Sequence, residues 1–204
     1  MTRATEALSP DPTSAMSDQR VDYDQIAPTY NRRYAANNLG QVAEALLALT
    51  EKVSAERVLE VGCGTGRWLA DLTDEPRQLW GLDASIGMLR QARWRPVRLD
   101  LVQGRAAQTA FRDAAFDLVF CVNAIHHFDD PVAFVHEAHR LLRPGGKFLC
   151  IDYLVSVLGF QRHGFHCFLA LTREEWVEML LDRRFANIQM HEMGDFLVVE
   201  AQKP

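Results

Sequence analysis

The sequence predicts an α/β fold, with a doubly wound, mostly parallel seven-stranded sheet that closes on a C-terminal antiparallel hairpin. Three observations carry that expectation. Short apolar runs alternate with amphipathic segments along most of the 204 residues. Five of the runs, Val58–Val61, Leu79–Leu82, Val97–Val102, Phe116–Val122 and Lys147–Ile151, are nearly continuous in hydrophobic character, as strands covered on both faces require. Two more, Ile188–Glu192 and Phe196–Gln202, flank Met193-Gly194-Asp195, which reads as a hairpin turn.

The segments between the strands carry helix signals. Tyr23, Ile26, Ala27, Tyr30 and Tyr34 recur at helical spacing, interrupted by Pro28. From Leu39 to Val53 a stripe runs through Val42, Leu46 and Leu49. A helix is expected over Arg67–Leu72, and Ser85 can cap another reaching about Arg93. Asp130-Pro131 supplies an N-cap followed by proline at the first helical position, and Arg143-Pro-Gly-Gly146 stops that helix. Thr172-Arg-Glu-Glu175 is a capping box opening a helix to about Arg184. Alternation of this kind is the signature of a Rossmann-like sheet. One domain is expected over 21–204, after a disordered leader over 1–20 rich in Ser, Thr, Pro, Asp and Ala.

Composition narrows the function. Hydrophobic and charged fractions of 48% and 24% are those of an ordinary globular chain. A formal net charge of -5 gives no broad reason to bind a phosphate backbone, so no nucleic-acid partner is expected. The run Arg90, Arg93, Arg95, Arg98 reads first as a solvated helix end, and second as an anion or RNA patch. No run approaches the roughly 20 apolar residues of a membrane span. The four cysteines form no CxxC pair, which suits a reducing, cytoplasmic setting. His163, His166 and Cys167 lie close in sequence, but the spacing is loose for zinc and no second cluster completes it, so no metal is expected.

The chemistry concentrates after the first strand. Glu60-Val-Gly62-Cys63-Gly64-Thr-Gly66 leads straight from strand to helix, a turn where absent Cβ atoms let backbone approach a ligand at contact distance. The next strand ends in Asp83, 21 positions after Gly62, about where such sheets offer a carboxylate to ribose hydroxyls. An Asp at that place is often only a helix cap, but Ser85 can do the capping. A dinucleotide fingerprint would put glycine at the sixth position from Gly62, where this chain has Arg67.

With Gly81-Leu-Asp83-Ala-Ser, the loop resembles that of class I S-adenosylmethionine-dependent methyltransferases. Within them it is similar to the small-molecule group that includes the ubiquinone/menaquinone-biosynthesis enzymes. The likeness continues through Tyr23-Asp-Gln-Ile-Ala-Pro-Thr-Tyr30, Phe116-Asp-Leu-Val-Phe, Ala124-Ile-His-His-Phe128 and Arg140-Leu-Leu-Arg-Pro-Gly-Gly-Lys147, roughly residues 22 to 204. It implies S-adenosylmethionine as cofactor and a small, largely apolar methyl acceptor as partner. Gly62, Cys63, Gly64 and Gly66 would then form the cofactor loop, with Glu60 helping to hold the ammonium group. Asp83 would take the ribose, Ala84 and Met88 would flank the adenine, and Gly104-Arg105-Ala106 would meet its edge. Cys121 and Asn123 would lie beside the methionine and the transferred methyl, and Tyr30 would complete the cofactor contacts. One departure stands out. Relatives commonly carry Gly-Asp-Ala where this chain has Gly104-Arg105-Ala106, and arginine is donor-only. One hydrogen bond to the adenine amino group is lost, on the order of 1 kcal/mol.

Methyl transfer from a sulfonium needs alignment and dryness more than a catalytic triad. An oxygen or acidic-carbon acceptor also needs a base. His127, His126 and Asn123 are the candidates after the fourth strand, with His163 or His166 as alternatives. For each histidine, packing is the competing role. Aromatics at Tyr23, Tyr30 and Tyr34, and at Tyr153, Phe160, Phe165 and Phe168, either line an acceptor pocket or fill the core. Two other functions compete: a cofactor-binding, regulatory or degenerate subunit without catalytic output, and an RNA methyltransferase. The second lacks Asn-Pro-Pro-Tyr after the fourth strand. Nothing in the sequence bears on oligomeric state.

Overall fold

A computed structural model describes residues 21–32, 40–72, 76–154 and 171–204. The expected leader, Tyr34, and the histidines and aromatics expected between 155 and 170 lie outside the described residues.

Seven strands form one sheet: β1 Arg57–Val61, β2 Gln78–Asp83, β3 Asp100–Gln103, β4 Phe116–Val122, β5 Leu142–Tyr153, β6 Ala186–Met193 and β7 Phe196–Gln202. Their order is β3-β2-β1-β4-β5-β7-β6. The first five are mutually parallel, and β7 runs antiparallel between β5 and β6. The chain therefore winds outward from β1 to β3, then crosses back to β4. Such a reversal opens a crevice beyond the carboxyl ends of β1 and β4.

Strand β4 shows why the apolar runs are continuous. All seven of its residues are buried. Val119 and Cys121 face a core with Phe134, Phe148 and Trp176, while Leu118, Phe120 and Val122 face a second core with Val42, Leu46 and Leu69. Both faces are covered, so alternation disappears from the sequence.

The helices begin where their caps are. Asp22 Oδ1 accepts from the Gln25 amide at 3.1 Å to open α1, Tyr23–Ile26, and Pro28 turns the next residues into a 3-10 turn over Ala27–Thr29. Helix α2 spans Gly40–Val53 and α3 is the single turn Arg67–Ala70. Ser85 Oγ accepts from the Met88 amide at 3.0 Å and opens α4, Ile86–Ala92. Asp130 Oδ1 accepts from the Ala133 amide at 2.8 Å and opens α5, Pro131–Leu141. The capping box closes at both ends, Glu175 amide to Thr172 Oγ1 and Thr172 amide to Glu175 Oε2, to start α6, Arg173–Asp182.

Two boundaries differ from expectation. The third strand begins at Asp100 rather than Val97, because the chain is still turning through 93–97 and Pro96 has no amide to donate to a ladder. The fifth strand begins at Leu142 rather than Lys147. Leu142 pairs with Phe116, and a register shift before Lys147 absorbs Pro144, Gly145 and Gly146. Those residues do end the helix, but they belong to the strand's irregular start.

One buried carboxylate joins three strands at their amino ends. Asp117 Oδ2 accepts from the Arg57 and Glu56 amides at 2.7 and 3.0 Å, and its Oδ1 meets the guanidinium groups of Arg57 and Arg143 at 3.1 and 2.7 Å. Burial alone would raise its pKa, but the Arg57 amide and guanidinium, with Arg143 and Glu56, outweigh burial and hold it below its ordinary value. Asp117→Ala should therefore cost about 2–3 kcal/mol at neutral pH, lowering Tm by about 5–10 °C for a chain of this size. A depressed folded pKa stabilises above the unfolded value of about 3.9 and loses that contribution as pH falls through the folded value. Thermal melts should thus show a constant gap between parent and variant from neutral pH to about pH 5, closing only in stronger acid.

Candidate functional site

The loop between β1 and α3 leaves the sheet at Gly62. The amides of Gly62 and Cys63 both donate to Leu82 O, at 2.8 and 3.1 Å, so the loop is pulled towards β2 as soon as β1 ends. Gly62 and Gly64 have φ of +75° and +52°. They are glycine for different reasons. A Cβ on Gly62 would sit 2.6 Å from Ala124 Cβ, whereas a Cβ on Gly64 would meet nothing within 4 Å. Gly62 is packed against the β4 loop; Gly64 faces open space.

Asp83 sets the loop's shape. Its Oδ2 accepts from the Gly64 amide at 2.7 Å, and its Oδ1 from the Ser85 amide at 2.8 Å. Burial raises its pKa, partly countered by those two amides. Ser85 caps α4 as expected. Asp83 is nevertheless engaged, because it braces the glycine loop against the start of α4 while also lining the crevice.

The crevice is a cavity of about 830 Å³. One wall is the loop, with Gly62, Cys63 and Gly64, and the next holds Asp83, Ala84 and Met88. Gly104, Arg105 and Ala106 form the far end, Asn123 and His127 the side towards β4, and Tyr23 and Tyr30 the N-terminal side. The structure therefore gathers most of the sequence-predicted site residues around one space. Glu60, Gly66, Cys121 and His126 stand outside this lining.

Glu60 is wholly buried behind the loop, and neither of its oxygens has a hydrogen bond of good geometry among the described residues. Burial pushes its carboxyl well above the usual range; Cys121 and Asp83 add to this, and the Leu69 amide offsets only part. Asn123 takes a left-handed φ of +50°, and its Oδ1 is buried without a partner among the described residues. A left-handed backbone and an acceptor without a partner among the described residues make Asn123 a candidate site residue at the cavity wall.

The two histidines are placed differently. His126 is 3% exposed, with Nδ1 2.6 Å from Asp152 Oδ1. His127 lines the cavity, and its ring meets Tyr23 edge-on with centroids 5.4 Å apart. At the far end Arg105 forms an ion pair with Asp129, which also lines the cavity. Among the described residues no group of three or more His, Cys, Asp or Glu could hold a metal ion.

The N-terminal segment is clasped by side chains that hydrophobic spacing does not reveal. Asp24 Oδ1 accepts from Ser85 Oγ at 2.6 Å and from the Gly87 amide at 2.7 Å, which lowers its pKa. Asn31 Oδ1 accepts from Thr65 Oγ1 at 2.6 Å, and Arg95 reaches both Asn31 and Thr65 O. Asp24 and Asn31 sit beside aromatic residues in sequence, and only their polarity within that segment hinted at a role.

Comparison with known proteins places this geometry. Residues 59–150 match a family of methyltransferase domains. The demethylmenaquinone methyltransferase of Renibacterium salmoninarum is 29% identical over 78% of this chain and 66% of its own length. The malonyl-[acyl-carrier protein] O-methyltransferase of Hahella chejuensis is 30% identical over 74% of this chain and 57% of its own. A solved S-adenosylmethionine-dependent methyltransferase from Thermotoga maritima superposes with a TM-score of 0.73 at 22% identity, covering 89% of this chain and 98% of that one. The chain is thus similar in sequence to methyltransferases over much of its length, and its fold is that of the solved methyltransferase. The chain spans less than two thirds of the length of these two curated relatives, 66% and 57%.

The contrast between its two glycines is testable. Gly62→Ala combines a left-handed φ with a clash against Ala124 and should cost about 2–3 kcal/mol in thermal stability. Gly64→Ala carries the left-handed penalty alone, about 1–2 kcal/mol, but plants a methyl group in the cavity. In a titration with S-adenosylhomocysteine it should lose more affinity than its melting temperature predicts. Equal loss of stability in both variants, with Gly64→Ala binding normally, would contradict the placement of the loop.

Proposed function

We propose that this chain transfers a methyl group from S-adenosylmethionine to a small, largely apolar acceptor. The observation that carries the reading is one continuous cavity, running from Asp83 and Arg105 at one end to Asn123, His127 and Tyr23 at the other. A volume of about 830 Å³ lies in the range of small-molecule sites and leaves room for a second small molecule. The two curated relatives act on a demethylmenaquinone and on a malonyl group carried by acyl-carrier protein. Both names fit small or chain-borne acceptors.

The residues fit the cofactor. Open backbone at Gly64 would receive the methionine portion, and the unsatisfied Asn123 Oδ1 is an acceptor suited to an ammonium or to a polar group of the acceptor molecule. Asp83 would accept from the ribose hydroxyls while still holding the loop. At the adenine end Arg105 offers no acceptor, but its ion pair holds the Asp129 carboxylate at the cavity wall. Asp129 would then supply the acceptor that residue 105 lacks.

The sulfonium, when bound, supplies a methyl group already activated for displacement. The chain's share is alignment, exclusion of water and, where the acceptor is an oxygen or acidic carbon, removal of a proton. His127 is the residue placed to hold that proton, with Tyr23 packed against its ring. His126, held by Asp152, positions the short turn that carries His127. Cytoplasmic residence belongs to the same reading, supported by free, buried Cys63, Cys121 and Cys150. The family match favours this function over a cofactor-binding subunit without output, and over an RNA methyltransferase.

Calorimetric titration should show S-adenosylhomocysteine binding and no NAD binding. Asp83→Ala should weaken the former by about 1.5–3 kcal/mol, the range for hydrogen bonds to a charged group. His127→Ala should leave cofactor affinity unchanged and lower turnover by about 10²–10⁴-fold with an acceptor that loses a proton. Stabilisation by NAD but not by S-adenosylmethionine would defeat the proposal, and so would undiminished affinity in Asp83→Ala.

A further inference from the structure

One surface patch is not explained by methyl transfer. Where α4 ends, Trp94 is 85% exposed, more than any other large hydrophobic side chain among the described residues. Arg90, Arg93, Pro96 and Arg98 are exposed around it. Of the four arginines in this run, only Arg95 turns inward, to Thr65 O and Asn31. Arg90, Arg93 and Arg98 have no carboxylate within ion-pair distance among the described residues. Arg90 feels Asp24 only at longer range, and that carboxylate is already taken by Ser85 and Gly87.

A helix C-terminus accounts for part of this, since cations near the last carbonyls complement the dipole. It accounts for neither Arg98, which lies beyond the helix, nor an indole left in water. Three guanidinium groups without an ion-pair partner among the described residues also stand out on a chain whose net charge is -5. The patch is a local exception in sign, and it is paired with a side chain that gains from leaving water.

We propose that this patch docks the protein on an anionic lipid surface. An indole with its flat apolar body and one N–H suits the headgroup boundary of a bilayer, and arginines suit the phosphates around it. Each arginine near an anionic leaflet contributes about five-fold in affinity. A single indole on a turn, with no ring contact among the described residues, offers no stacking track for single-stranded nucleic acid. Position supports the choice as well. Arg95 and Asn31 tie the patch to the segment carrying Tyr23 and Tyr30, which form one side of the cavity. Docking would bring the cavity's N-terminal side close to the phase where an apolar acceptor dissolves. This purpose rests on the proposed function; the docking itself does not.

The test uses the full chain and phosphatidylcholine vesicles with and without phosphatidylglycerol. Trp94 is its own reporter, because Trp68 and Trp176 are 3% exposed and Trp80 is half-buried. Phosphatidylglycerol vesicles should co-sediment the protein at low salt, shift its fluorescence to the blue and release it as salt rises. Trp94→Ala should lose the shift and most of the binding, and Arg93→Ala/Arg98→Ala should weaken binding about 25-fold. S-adenosylhomocysteine affinity should be unchanged in both variants, which shows that they are folded. Failure to bind these vesicles, equal binding to neutral ones, or unaltered binding by the variants overturns the proposal. A blue shift with single-stranded RNA but not with vesicles overturns it in favour of nucleic acid. Vesicle binding by a chain that binds no S-adenosylhomocysteine would refute the proposed function and leave the docking surface standing.

Discussion

The two oxygens of Asp83 accept from the amides of Gly64 and Ser85, at 2.7 and 2.8 Å, and the rest of the site depends on that bridge. It ties the loop after β1 to the start of α4 across the carboxyl ends of adjacent strands. The Gly62 and Cys63 amides, both on Leu82 O, pull the same loop in the same direction. Once the loop is held, its backbone faces the crevice instead of collapsing into it. The start of α4 in turn provides the Ser85 hydroxyl and the Gly87 amide on which Asp24 seats the N-terminal segment. The glycine loop, the start of α4 and the N-terminal segment thus share one carboxylate as their common support.

The site concentrates polar groups that a stable interior would avoid. Glu60 is wholly buried with a carboxyl raised by burial, and the Oδ1 of Asn123 has no partner among the described residues. Buried acceptors left unmade cost about 1–3 kcal/mol each. Elsewhere the fold avoids that cost. Asp117 is as deeply placed, yet two amides and two guanidinium groups surround it. The difference separates a carboxylate that holds strands together from a buried carboxyl behind the glycine loop and an amide oxygen at the cavity.

The glycine loop and the strand-ending Asp83 were legible as elements from spacing, because a tight turn between strand and helix favours residues without Cβ atoms. The caps at Ser85, Asp130 and Thr172 were legible because each rests on a local bond spanning three residues. The beginnings of β3 and β5 were less so. Their limits depend on pairing with residues far along the chain, Trp80 for Asp100 and Phe116 for Leu142. The difference between His126 and His127 was equally hidden. Their ring centroids lie 4.0 Å apart, but only His127 lines the cavity, and Asp152, 26 positions away, claims His126.

By itself the sequence determined the class of fold, the strand-loop-helix that carries the glycines, and the residue types gathered at the carboxyl ends of the strands. Those are consequences of hydrophobic period, capping and turn chemistry, all of which act over a few residues. Only the tertiary structure decided that Asp83 braces the glycine loop, that Arg105 pairs with Asp129 beside the cavity, and that Trp94 stands exposed among arginines without an ion-pair partner among the described residues. Each of these is a relation between side chains that the sheet brings together or holds apart. Their sequence separation, 19 residues for Asp83 and Gly64 and 24 for Arg105 and Asp129, carries no periodic signal.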